Sequence, residues 1–261
     1  ELRFRGEIKA NTADFNNDVS NTSDTSAYDG RVRIRIQADV SKNTQGVIHL
    51  ESGTNTGDTY TWGDSTASEA KGIYGEGNGK RGTLAILEAW VQHKFNIGVP
   101  AGIKVGHMPL KLGNGLFFDH SKFGDDAIVF FMDPTKELHI GLLNIKINEG
   151  TSSGSPDDSD AYVALFAYKT KGFNLSGDVT YLNDQDYNAK GLAMTNYGLR
   201  ADTKVGPVGV KADVELQNGK STPDSGTATK FKGYAYLLGV DYKAGDWTID
   251  AEYALGSGDS D

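Results

Sequence analysis

Arg3 and Arg5, then Arg31, Arg33 and Arg35, stand at every second position of two short stretches. The residues between them are apolar. Leu2, Phe4 and Ile8 accompany the first pair, and Val32, Ile34, Ile36, Ala38 and Val40 run along the second stretch. Strict alternation of this kind describes a β-strand with one apolar and one charged face. If the two strands pair, the five guanidiniums form a ladder on one wall. Like charges so close repel, and they call for water, counterions or carboxylates such as Glu7, Asp39, Glu51 and Glu88. In a dry core the ladder would be prohibitively costly, so the arginine face belongs in water. Set across water from a row of carboxylates, it would give a transverse field, and such a field orients dipolar solutes and admits small ions while excluding apolar molecules. A salt-bridged wall that only braces the sheet is the other use of these residues, and both can hold together.

Catalysis and metal binding find little support. His49, His93, His107, His120 and His139 show no metal-ligand spacing, and the chain has no cysteine for a thiol nucleophile or a thiolate site. Asp157-Asp158-Ser159-Asp160 is rich in carboxylates but lacks the spacing of a calcium loop. Neither a glycine-rich phosphate loop nor a nucleophile elbow is present. The chain therefore reads as a non-enzyme that needs no cofactor and no metal. A net charge of -9 argues against a nucleic-acid partner.

The elements that carry these residues follow from composition and spacing. Thirty-three glycines, 10% aromatic residues and only six prolines suit many antiparallel strands joined by tight turns. Mean hydropathy is -0.45, and no apolar run reaches the roughly 18 residues of a transmembrane helix. Barrel strands would not show one, because the residues facing a water-filled interior dilute each strand. Glu1 already opens a strand, so the sequence reads as a mature one without a signal peptide.

In order, the expected strands cover Leu2–Lys9, Arg31–Val40, Gly46–Ser52, Leu84–Phe95, Ile103–Gly106, Ala127–Met132, Leu138–Ile147, Ala161–Lys169 and Phe173–Leu182. Another ends near Val205, one follows Gly206-Pro207, one follows the polar loop from Asn218 to Thr229, and one begins at Trp247. The segment from Met108 to Asp126 reads as irregular. Connections alternate long and short: Asn11 to Ala27 is long, Ser41 to Thr44 short, Gly53 to Gly82 long, Gly98 to Ala101 short, and so on. That alternation, with strands of roughly 10 residues, is the signature of a transmembrane up-and-down antiparallel β-barrel. One all-β domain is expected over 1–261. About thirteen strands are visible, and since bacterial single-chain barrels have even counts the chain reads as truncated at its C-terminal end. The parent would then hold roughly 14 to 18 strands, about 16 being usual; if the chain is complete, about 12 is the fallback.

Several of these stretches resemble Gram-negative outer-membrane porins. They are the opening strand Leu2–Lys9, the arginine-rich second strand, Glu88-Ala89-Trp90-Val91-Gln92-His93-Lys94-Phe95, and Ile103-Lys104-Val105-Gly106-His107-Met108-Pro109-Leu110. The last two together are similar to the EAYV…LKVGR hairpin of phosphate-selective-type and alginate-export-type porins, with Trp90 where Tyr is usual and His107 where Arg is common. The resemblance implies a water-filled channel in the bacterial outer membrane for passive diffusion of small hydrophilic solutes or ions. It also implies a homotrimer embedded among outer-membrane lipid and lipopolysaccharide. In such proteins the third outside loop folds inward, which here points to 107–126. Its glycines permit a tight fold, Leu116-Phe117-Phe118 would pack on the wall, and Asp119, Asp125 and Asp126 would project into the lumen beside His120 and Lys122. Facing Arg3, Arg5, Arg31, Arg33 and Arg35, with Glu51 and Glu88 on the wall, they would create a transverse field at the constriction. The arginines favour anions, whereas the overall charge favours cations, and the sign stays open. Alternatives are a wider conduit for an anionic polysaccharide or a cytochrome, and a barrel enzyme with a catalytic cluster at its outer rim.

Overall fold

The computed structural model describes residues 1–9, 25–53, 60–61, 83–150, 157–185, 191–222 and 227–258. The loops expected over Asn11 to Ala27 and Gly53 to Gly82 lie mostly outside the described residues, as do 151–156, 186–190, 223–226 and 259–261. Among the described residues everything regular is strand: β1 (Leu2–Lys9), β2 (Thr25–Ser41), β3 (Thr44–Gly53), β4 (Tyr60–Thr61), β5 (Thr83–Asn96), β6 (Pro100–Lys111), β7 (Asp119–Met132) and β8 (Leu138–Asn148). There follow β9 (Ser159–Lys169), β10 (Phe173–Asp184), β11 (Leu192–Val205), β12 (Val208–Ser221), β13 (Thr229–Phe231), β14 (Tyr234–Ala244) and β15 (Trp247–Gly256).

Hydrogen-bonded neighbours follow chain order, β1-β2-β3-β5-β6-β7-β8-β9-β10-β11-β12-β14-β15. Among the described residues there are fifteen strands, of which β4, on β2, and β13, on β12, lie off that path, leaving thirteen along it. Every pairing with a defined register is antiparallel, as in β1–β2, β6–β7 and β14–β15. Short connections alternate with long ones throughout. Two of the short ones are two-residue turns. Val205 pairs with Val208 around Gly206-Pro207, and Ala244 with Trp247 around Gly245-Asp246. Gly206 supplies the positive φ of 60° that the first position of such a turn needs, and the proline ring fits the second.

The expectation for 108–126 needs correction. Met108 to Lys111 extend β6, and Asp119 to Asp126 open β7. A register shift between Met108 and Leu110 lets the two strands continue past the point where alternation breaks. The connection proper is Leu112–Phe118, called the strap below.

By packing, the chain divides into two units, Glu1–Ala38 with Val47–Ala89, and Asp39–Gly46 with Trp90–Asp261. In the second unit the two faces of β9 to β15 differ sharply. One carries Val179, Tyr181, Tyr197, Leu199, Val210, Val214, Leu216, Leu238, Val240 and Tyr242, each between 42% and 55% exposed. Several aromatic residues of this bare face lie toward strand ends: Tyr162, Tyr181 and Tyr234 near the long connections, Tyr168, Tyr242 and Trp247 near the short turns. The opposite face, which bears the strap, has an apolar portion on β7–β9 (Ala127, Leu143, Ile145, Ala161 and Val163, all buried). On β10–β12 the same face turns polar, with Asp178, Thr180, Asn196, Arg200, Asp213 and Glu215 buried. Cross-strand register keeps these residues together, Arg200 opposite Asp213 and Thr180 opposite Asn196.

Candidate functional site

In the first unit, Arg3 lies directly opposite Arg31 across β1–β2. Each arginine of β2 meets a carboxylate. Arg31 contacts Glu1 at 2.7 Å, Arg33 Nε pairs with Glu51, and Arg35 Nε lies 3.2 Å from Glu88 Oε1. The same Glu88 oxygen sits 3.1 Å from His49 Nδ1, and Arg35 also donates to Gln37 at 3.2 Å. Glu51 is 5% exposed, so its charge is shielded mainly by Arg33. The side chains of Arg5 and Glu7 lie outside the described residues; the Arg5 backbone pairs with Asp29. The arrangement is a wall of alternating charge, cationic along β2 and anionic from β3 and β5.

In the second unit the strap crosses the polar part of its face. Leu112 and Met108 are buried against the apolar portion beside Phe118, and the Leu112 N–H donates to the Phe118 carbonyl at 3.0 Å, closing the loop's base. Burying one leucine or methionine side chain stabilises by about 1.5–3 kcal/mol, enough to hold so short a connection down. Its tip reaches β12: the Asn114 N–H and Nδ2 donate to Asp213 Oδ2 at 3.2 and 3.1 Å. Gly113 adopts φ 53°, and a Cβ there would overlap the Arg200 side chain. Only glycine combines that conformation with so close an approach.

Beneath the tip, one guanidinium serves three carboxylates. Arg200 donates to Asp178 Oδ1 at 2.5 Å and to Glu215 Oε1, and its Nε lies 3.4 Å from Asp213 Oδ1. Asn196 donates to Glu215 at 2.6 Å and Thr180 to Asp178 at 2.9 Å. Asp213 and Asn196 are 0% exposed and Arg200 7%. Gly198 leaves room for this closure, since a Cβ there would press on Arg200, Asp178 and Glu215 together. Such a nest can hold a loop in one place and set a negative potential beside it. Its members stand at the polar positions of alternating strands, which a sequence reading can see; that three strands and a loop bring them to one point it cannot.

The carboxylates expected to project from the loop are paired locally. Asp119 binds Lys111 at 2.8 Å and Ser121, Asp125 is buried with His120 Nδ1 at 2.8 Å, and Asp126 holds His107 Nδ1 at 3.0 Å. Asp125 and Asp126 are successive strand residues and point to opposite faces, so they cannot both enter one lumen. Lys122 is exposed, its Nζ 5.0 Å from the Phe123 ring centre. Apolar anchoring of the strap comes from Leu112 and Phe118. Among the described residues no cluster of three or more His, Asp or Glu side chains could hold a metal ion.

No protein-family model and no curated protein matches the sequence. Solved structures do match. OmpF of Salmonella typhi, in a complex with daunomycin, is 11% identical over 98% of this chain and 77% of its own, with a TM-score of 0.52. OccK8 (OprE) of Pseudomonas aeruginosa is 15% identical over 100% of this chain and 67% of its own, with a TM-score of 0.55. At such identities the likeness is one of fold, and the fold is that of a porin: all-β, antiparallel and up-and-down.

Proposed function

We propose that the chain forms the wall of a water-filled channel in the bacterial outer membrane, open to passive diffusion of small hydrophilic solutes and ions and narrowed by the strap. The observation that carries this reading is the inverted burial of the second unit: charged side chains are buried and a continuous row of Val, Leu and Tyr is exposed. In water that bare face would be a large aggregation surface; against lipid it is the ordinary outside of a barrel, with aromatic residues at the two interfaces. Lipid and lipopolysaccharide are the partners such a face fits, and assembly as a homotrimer accords with the porin fold.

The strap supports diffusion of small solutes over passage of a polysaccharide or a cytochrome, which would need an unobstructed opening. Selectivity is assigned to two groups of charges. The arginines of β1 and β2, balanced by Glu51 and Glu88, supply the positive part of the pore's field. Asp119 and Asp125 at the strap's flanks and the Arg200 nest supply the negative part. Planar-bilayer recording of the purified protein tests the reading. Stable ohmic steps are expected, and their size should rise when Asn114→Ala weakens the strap's hold on Asp213. A folded protein that inserts and never conducts would overturn it.

A further inference from the structure

We infer that a cavity of about 650 Å³ between the strap tip and the short turns of β9–β12 is a binding station for a small zwitterion of the α-amino-acid class. The inference rests on the channel reading and names a solute for it. The cavity is lined by Gly113 and Asn114 of the strap, and below them by charges of both signs: Lys169 of β9, Lys171 of the β9–β10 turn, Lys204 and Asp202 of β11, and Asp241 of β14. Two other cations on its lining are already engaged, Lys211 by Glu252 at 2.6 Å and Arg200 by its three carboxylates. Among the described residues, Lys169, Lys171, Lys204 and Asp241 have no ion-pair partner.

Register orders these charges into two rows across the strands. Lys169 stands opposite Asn174, which stands opposite Asp202 and donates to it at 2.5 Å. Two pairs nearer the turn, Lys204 stands opposite Gly209, and Gly209 opposite Asp241. Gly209 puts no side chain between them, and the Asp241 carboxylate lies over the glycine, toward the strand of Lys204. In each row cation and anion thus stand two strand spacings apart at the backbone, about 10 Å, a gap that the long lysine side chains narrow, and in the second row no side chain stands between them. A dianion would be repelled by Asp202 and Asp241, and a simple cation by three ammoniums. A solute bearing carboxylate and ammonium on one carbon satisfies both, its carboxylate toward Lys169 and Lys204 and its ammonium toward Asp241.

The test compares L-alanine with propionate and ethylamine, which lack its ammonium and its carboxylate respectively, as blockers of single-channel current through the reconstituted protein. Alanine is expected to reduce the current saturably, with an apparent dissociation constant at least about tenfold below that of either analogue, the effect of one charge-assisted hydrogen bond. Asp241→Asn should bring alanine to the level of propionate and leave propionate unweakened, whereas Lys204→Gln should weaken both. Equal block by alanine and propionate would make the cavity a plain anion site and overturn the proposal, as would a conducting channel that none of the three affects. A protein that does not conduct at all would sink the channel reading instead. Alanine titrated calorimetrically into the detergent-solubilised protein, with propionate as control, then decides the station by itself.

Discussion

Arg200 holds the second unit's polar face together, because three buried carboxylates share its one positive charge. Removing one partner of a buried charged network typically costs about 3–5 kcal/mol, since the remaining charges lose their counterion and stay desolvated. Arg200→Met is therefore expected to lower the midpoint of denaturant unfolding sharply. Arg200→Lys should recover only part of the loss, because an ammonium cannot reach Asp178 and Glu215 with a planar fork. Unchanged unfolding in the Met variant would mean that the nest contributes nothing. Asp158, outside the strands, offers a separate residue-scale test. The Gly150 N–H, donating at 3.0 Å, and then Lys146 hold its carboxyl below the ordinary carboxylate range. A depressed pKa stabilises the folded state above the unfolded value, and that contribution disappears as pH falls through the folded one. The β8–β9 connection should thus become more susceptible to an acid-active protease only below the ordinary Asp range, and Asp158→Asn should remove that pH step.

At the scale of elements, the strap depends on one conformation at one residue. Gly113→Ala would add a Cβ where φ is 53° and where Arg200 already lies, so both the loop and the guanidinium would have to move. The expected result is a larger and noisier single-channel conductance with the sheet intact by circular dichroism; a variant that conducts as the parent does would separate the strap from the constriction. The strap also marks where sequence reading ran out. Alternation located the strands well, because a period of two over ten residues is hard to mistake, and the order of long and short connections gave the meander. It failed at 108–126. There a register shift between Met108 and Leu110, together with polar residues on both faces of early β7, hid the strand behind an irregular pattern. The arginine row of β2 was legible for the same reason the strands were, as were its carboxylate partners Glu51 and Glu88. The Arg200 nest was not, since Asp178, Arg200 and Asp213 are separated in sequence and brought together only by register.

For the whole molecule, the proposed channel makes the sign of ion preference depend on the arginines of β2. Arg33 and Arg35 each hold a carboxylate, Glu51 and Glu88, and Arg31 holds Glu1. If that wall faces pore water, replacing Arg31, Arg33 and Arg35 together by Gln removes three positive charges and leaves Glu51 and Glu88 without their counterions. The local potential then turns negative, and counterions of the other sign concentrate there. Measured in a salt gradient across a planar bilayer, the reversal potential should move toward cation preference. The shift should shrink as ionic strength rises from about 0.1 M to 1 M, where the screening length falls from about 10 Å to about 3 Å. If the wall is only a brace, the triple variant should unfold more easily with its reversal potential unmoved, because charges outside the ion path do not bias the ions. The paired variants Arg33→Gln with Glu51→Gln, and Arg35→Gln with Glu88→Gln, distinguish the two roles. Each removes a neutral pair, so a selectivity wall should keep its reversal potential close to the parent's while a brace loses the same contact as in the single change.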